Sequence, residues 1–294
     1  MLQTPDLTNS SNRKTPLGLL VAVGGNEDKE QDLSILRSLI SLVKKEGNEP
    51  VKIELITTAS EIPKEVEKMY KKAFSLIGGN DLGVMHIDNR EKAQDASLVG
   101  RLSKADIIFF SGGDQLRITT ILGGSPVLKE VRRRYFNEKV IVTGTSAGAA
   151  AMPDTMIYGG LATEALLKGA VHMTTGMGLI GKVIIDSHFI KRGRFSRLMQ
   201  IVSSNPVNIG LGLGEDTGVV IEQNRYLKAI GTGLVVIFDG QNLRYTNITE
   251  VSDSDAIAIE NMHVHTIVKG FGYDLWERRY LKPADMDCLD LVCQ

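Results

Sequence analysis

A serine, a histidine and a carboxylate can together cleave an amide, and this chain carries one of each just past strand-like runs. The most informative segment is Val140-Ile-Val-Thr-Gly144-Thr145-Ser146-Ala147-Gly148-Ala149-Ala150. A β-branched strand runs into Gly-x-Ser-x-Gly and then into small residues suited to a helix start. That is the context in which a strained turn displays a nucleophilic serine, a nucleophile elbow. Small neighbours let the chain turn tightly and let a substrate carbonyl approach the backbone. Ser146 would stand at a helix N-terminus, with the Ala147 N–H aimed at a developing oxyanion. A second loop, Ser111-Gly112-Gly113-Asp114-Gln115, follows the apolar run Ile107–Phe110. Gly113 is the candidate for the second oxyanion donor, although an ordinary turn with Asp114 as helix N-cap fits the segment equally well. Gly24-Gly25-Asn26-Glu27-Asp28 is similar in style and vaguer in meaning.

Ser146 needs a base. Of the five histidines, His188 follows the apolar run Val183-Ile-Ile and so falls at a strand end. His86 ends a buried-looking run, His172 lies in a Gly/Thr/Met-rich segment, and His263 and His265 alternate with apolar residues. Position favours His188 as general base. The base needs an orienting carboxylate. Glu215, after Ile209-Gly-Leu-Gly-Leu-Gly214, again follows a strand; Glu164, between serine and histidine, is its rival. With Glu215 the chain order is Ser, His, Glu. The α/β-hydrolases run Ser, acid, His, so a different fold is expected to carry the same constellation.

The elements that must position these residues alternate. Apolar runs at Leu17–Val23, Val51–Ile56, Val84–Ile87, Ile107–Phe110 and Val140–Thr143 read as strands. Between them, residues 30–45, 61–77 and 125–137 carry apolar residues at helical spacing. This order predicts an α/β fold, a mostly parallel sheet with helices on both faces and functional loops at the strand C-terminal ends. Beyond about residue 205, Asn208–Gly214, Gly218–Glu222, Arg225–Ile230 and Leu234–Phe238 read as extra antiparallel or mixed strands on the same sheet. Residues 1–14 read as a flexible arm and 15–294 as one domain.

Composition sets outer limits. In 294 residues, 43% are hydrophobic and 23% charged, enough for a full core. A net charge of −1 gives no sign of a nucleic-acid or membrane partner. Arg13 and Lys14 before Leu17–Val23 loosely imitate a signal peptide, but the run is short and leads into the glycine motif. The only cysteines, Cys288 and Cys293, form neither a disulfide framework nor a zinc pattern, which suits a cytoplasmic setting. The expected chemistry calls for no metal and no cofactor.

Taken in order, Gly24-Gly-Asn-Glu-Asp-Lys29, Phe109-Phe-Ser-Gly-Gly-Asp-Gln115, Gly144-Thr-Ser-Ala-Gly-Ala149, Asp186-Ser-His-Phe-Ile-Lys-Arg-Gly-Arg194 and Gly212-Leu-Gly-Glu-Asp216 resemble the cyanophycinase family of serine peptidases. The likeness runs from about residue 16 to 280. It implies a flavodoxin-like three-layer α/β/α fold, similar to class I glutamine amidotransferases and aspartyl dipeptidases. It also implies intracellular hydrolysis of cyanophycin, multi-L-arginyl-poly-L-aspartate, to β-Asp-Arg dipeptides by a homodimer. By motif match, Ser146, His188 and Glu215 form the triad, and Gln115, Asp186, Arg192, Arg194 and Arg197 fall on substrate-binding positions. Arginines can clamp carboxylates bidentately and Asp186 could pair with a guanidinium; a solvated helix face is the plain alternative for the basic cluster. Ser187 stands where relatives carry glutamine, a shorter side chain without the amide's paired donor and acceptor. Other readings are an aspartyl dipeptidase-like enzyme for short Asp-X peptides, a glutaminase subunit, and a non-catalytic polymer-binding protein.

Overall fold

A computed structural model describes residues 15–43, 49–79 and 81–289. The expected arm at 1–14 and Cys293 lie outside the described residues; Cys288 is free and exposed. The strands in chain order are β1 (Leu19–Val23), β2 (Lys52–Ile56), β3 (Asp81–Met85), β4 (Ile107–Phe110), β5 (Ile141–Thr145), β6 (Thr155–Gly159), β7 (His172–Thr175) and β8 (Val183–Asp186). There follow β9 (Ile209–Leu213), β10 (Thr217–Glu222), β11 (Tyr226–Gly231), β12 (Leu234–Asp239), β13 (Tyr245–Thr246), β14 (Ile259–Glu260), β15 (His263–Val268), β16 (Gly272–Asp274) and β17 (Arg279–Leu281). The helices that bear on the site are α1 (Ser34–Ser41), α2 (Pro63–Ser75), α3 (Ala96–Leu102), α4 (Gln115–Leu122), α5 (Pro126–Asn137), α6 (Ala147–Ala150) and α7 (Phe195–Ser204).

The central sheet has nine strands in the order β17-β16-β11-β10-β1-β5-β4-β2-β3. From β1 to β3 all neighbours run parallel; from β1 to β17 all run antiparallel. This is the expected α/β class, a parallel core with antiparallel strands added towards the C-terminus. Parallel strands covered on both faces must be apolar on both. In β1, Leu20 and Ala22 enter one core, while Leu19, Val21 and Val23 enter the other. Ile108 and Phe110 against Ile107 and Phe109 divide β4 in the same way.

Three expectations change. β9 and β12 do not extend the central sheet; with β8 and β15 they form a second sheet, ordered β15-β12-β9-β8. Its Ile185, Leu211, Val235 and Ile237 pack into the core shared with the central sheet, while Ile184, Val236 and Phe238 pack beneath α7. β10 and β11 do join the central sheet, through a turn whose Gln223 and Asn224 both have positive φ. The helix read over 30–45 is shorter: among the described residues it spans Ser34–Ser41. The Asp28 carboxylate accepts the backbone N–H groups of Glu30, Gln31, Asp32 and Leu33, which holds that stretch in a loop. β3, read as Val84–Ile87, lies earlier because it is a half-exposed edge strand. Among the described residues, no helix is long and apolar enough to cross a membrane.

Candidate active site

Three of the five loops that build the site leave the central sheet, after β1, β4 and β5; two leave the second sheet, after β8 and β9. Ser146 follows β5 directly, with φ 51° and ψ −110°, a sparsely populated backbone conformation that its surroundings must enforce. They do so by close approach. A Cβ on Gly144 would lie 2.5 Å from the Gly148 carbonyl carbon, and one on Gly148 would lie 2.4 Å from the Phe110 carbonyl oxygen. Only hydrogen fits at either place, so strand end and helix start pack against each other and against β4. The Ser146 N–H donates to the Val23 carbonyl at 2.9 Å, tying the turn to β1.

The Ser146 hydroxyl lies 2.9 Å from His188 Nε2, and His188 Nδ1 lies 2.7 Å from Glu215 Oε1. The tautomer is assigned from these partners: a carboxylate can only accept, so Nδ1 carries the proton and Nε2 is left to accept from the serine. Glu215 Oε2 also accepts from Asn26 Nδ2 at 3.2 Å and Lys191 Nζ at 3.3 Å. Burial disfavours the Glu215 charge, but the hydrogen bonds from His188 and Lys191 outweigh it, so the carboxyl titrates below the ordinary glutamate value. Glu164 is exposed and shares no hydrogen bond or ion pair with His188, so the carboxylate beside the imidazole is that of Glu215. His86 pairs with Thr57 and Glu67 instead, and the His172 ring lies tilted against Tyr158.

His188 also has positive φ, 47°, and its N–H donates to the Gly24 carbonyl at 2.8 Å. Gly25, at φ 100°, lies so close that a Cβ there would stand 2.5 Å from His188 Nε2. Behind this turn lies a charge cluster. Asp186 is 2% exposed; Oδ1 accepts from Arg194 Nη1 at 2.8 Å, and Oδ2 forms an ion pair with Arg197 Nε at 3.1 Å without hydrogen-bond alignment. Arg194 Nη1 also donates to the Ser187 carbonyl, and Arg197 Nη1 to the Gly160 carbonyl. Burial raises the Asp186 pKa against the pull of Arg197 and Arg194. Arg194 and Arg197 are thus turned inward, not spread on a solvated helix face. Ser187 is buried, whereas Arg192 is exposed.

The β4 loop completes the site. A side chain on Gly112 would start 3.4 Å from Ser146 Cβ, so this loop lies against the serine. Gly113 follows it, and Asp114 caps α4 by accepting the Leu116 N–H at 2.8 Å. The reading of the segment as a turn with Asp114 as N-cap holds, and the cap sets Gly113 just before α4. Gln115 Nε2 donates to the Ile157 carbonyl at 2.9 Å. Ala147 opens α6, where a helix amide has no intrahelical acceptor. Asn26, Gly25 and Lys191 were not singled out from the sequence; the glycine-rich run after β1 was the available signal for the first two.

A serine–imidazole–carboxylate chain at the rim of an α/β sheet defines a serine hydrolase. Residues 19–228 match the model of Peptidase family S51, and the chain belongs to that family of serine peptidases. It is 35% identical to the cyanophycinase of Geminocystis herdmanii over 255 residues, covering 87% of this chain and 93% of that one. It is 33% identical to the cyanophycinase of Nostoc sp. over 280 residues, covering 95% and 93%. Its fold is similar to the crystal structure of a peptidase from an acI-B1 Actinobacterium, with a TM-score of 0.66 at 18% identity, covering 89% of this chain and 98% of the other.

Proposed function

We propose that this enzyme is a serine exopeptidase that hydrolyses cyanophycin to β-Asp-Arg dipeptides through an acyl-enzyme. The observation that carries the reading is the unbroken chain from Ser146 to His188 to Glu215, at 2.9 and 2.7 Å. The substrate is supported by the cyanophycinases to which nearly the whole chain is similar.

His188 Nε2 takes the Ser146 proton as the serine oxygen attacks an aspartyl backbone carbonyl. Glu215 holds the imidazole by Nδ1 and stabilises the imidazolium that forms. Ala147 and Gly113 N–H groups bind the oxyanion. His188 then protonates the leaving amine, and a water activated by the same imidazole releases the acyl group. Asp186, Arg194 and Arg197 act by fixing the Ser187-His188 turn, since one buried carboxylate pairs with both guanidinium groups. Exposed Arg192 is left to meet a substrate carboxylate, with half-buried Gln115 lining the approach and Ser187 buried beneath it. The same reading makes the enzyme a cytoplasmic homodimer whose residues 15–294 form one domain; it rests on the family resemblance.

The test is Ser146→Ala. The variant is expected to fold and bind cyanophycin while releasing no dipeptide, and undiminished release ends the proposal. Parallel assays on insoluble polymer and on short Asp-X peptides fix the substrate: turnover of the peptides alone makes it an aspartyl dipeptidase.

A further inference from the structure

The run Gly24-Gly25-Asn26-Glu27-Asp28-Lys29 touches His188 and Glu215 directly and the residue before Ser146 through Glu27. The Gly24 carbonyl accepts the His188 N–H, Gly25 lies against the imidazole, and Asn26 donates to Glu215. Glu27 points the other way, into the core, with its side chain only 1% exposed. Its Oε2 accepts from Thr145 Oγ1 at 2.5 Å. Its Oε1 accepts from the Tyr70 hydroxyl and lies 3.0 Å from Lys29 Nζ. Thr145 is buried, ends β5 and directly precedes Ser146.

A carboxylate this deep is costly unless donors surround it, and here three do. Burial, and next the Glu27 charge, hold the Tyr70 hydroxyl protonated far beyond the ordinary phenol range, so it remains a donor. Stability alone does not call for this arrangement, because apolar side chains of equal volume often fill such a space as well. What a carboxylate adds is direction. One oxygen is aimed at the strand end that carries the serine, the other at α2 and at the loop's own Lys29. Ser146 keeps its strained backbone only while its neighbours over-determine it, and the Thr145–Glu27 bond is one such constraint.

We propose that Glu27 is a positioning residue for the hydrolytic reaction: its carboxylate locks the 24–29 loop, and through it His188 and Glu215, to the strand end that presents Ser146. This rests on Ser146 being the nucleophile. Thr145→Val removes the hydroxyl at constant shape, Thr145→Ser retains it, and Glu27→Gln removes the charge. Each variant, and the Glu27→Gln/Thr145→Val double, is assayed for kcat, KM, thermal unfolding and the rate of labelling by a fluorophosphonate. Thr145→Val is expected to lose about tenfold in kcat and in labelling rate with KM unchanged, a modest share of what ångström-scale misplacement can cost. Thr145→Ser should recover most of that loss. The double variant should be no slower than the slower single, since Thr145→Val already removes the bond through which Glu27 acts on the strand end. Wild-type kcat in a folded Thr145→Val, a change in KM alone, or losses that multiply in the double overturn the proposal. Should Glu27→Gln fail to fold, the two Thr145 variants still decide. Failure of the nucleophile assignment reads out separately, as hydrolysis by Ser146→Ala and label on another residue.

Discussion

On the central-sheet side of the site, Ser146 is held by steric fit: two glycines with no room for a methyl group, a backbone bond to β1, and the serine's own positive φ. On the second-sheet side, His188 also has positive φ, but its turn rests on charge: Asp186 with Arg194 and Arg197 beneath it, Glu215 with Lys191 beside it. The chain crosses between the two sheets through Gly214-Glu215-Asp216, so the carboxylate bonded to His188 stands on the crossing itself. The difference teaches that the serine's turn is closed mainly by steric fit, with one buried carboxylate, Glu27, bonded to the residue before it, while the turn that carries the imidazole rests mainly on groups that titrate.

The largest effect is expected where charge meets chemistry. Glu215→Gln keeps shape but lets the imidazole adopt the wrong tautomer, and kcat should fall about 10⁴-fold, as for the corresponding change in a serine-protease triad. Steady-state assays with a melting curve check this; a loss below tenfold would mean that Glu215 does not orient His188. The wild-type sign follows from the lowered Glu215 pKa. Its contribution to stability is complete above the unfolded value, about 4.3, and is lost as pH falls through the lower folded value.

Next comes the buried cluster. Asp186→Ala strands Arg194 and Arg197 without their counter-charge, and breaking a buried pair typically costs about 3–5 kcal/mol. Urea unfolding should show that loss, and the His188 turn should loosen with it. On the steric side, Gly148→Ala forces a methyl group towards the Phe110 carbonyl. We expect about 1–3 kcal/mol of destabilisation, the range for overpacking, with no change in the pH dependence of activity. A shifted pH profile in Gly148→Ala would erase the distinction between the two sides.

The same division explains what the sequence made legible. Gly-x-Ser-x-Gly between a β-branched strand and alanines states a steric demand that local sequence must meet, so Ser146 was readable. So was His188, past its apolar run. Glu215 was favoured over Glu164 from its place after a strand-like run, but the second sheet that carries it was misread because β9 and β12, buried on both faces, look the same whichever sheet they join. The inward turn of Arg194 and Arg197 was not readable at all: a basic run near a histidine reads alike whether it faces solvent or a buried aspartate. Residues 30–33 have helical spacing, yet one carboxylate, Asp28, claims their amides first.

That carboxylate supplies the smallest prediction. The backbone N–H of Glu30, followed by those of Leu33 and Gln31, holds the Asp28 pKa down to about 2, below the ordinary aspartate value. Its contribution to stability is therefore complete above about 3.9 and disappears as pH falls through about 2. Asp28→Asn has one acceptor oxygen for amides that now share two, and carries no charge to titrate. The variant should melt on the order of 2–4 °C below wild type at neutral pH, the scale of a small local loss in a domain of this size. The gap should close as both proteins are taken from pH 4 towards pH 2. A constant gap across that range would show that shape, not charge, holds the loop. Because the loop leads into Asn26 and Glu27, a closing gap also places the titrating anchor at the base of the segment that joins the two sides of the site.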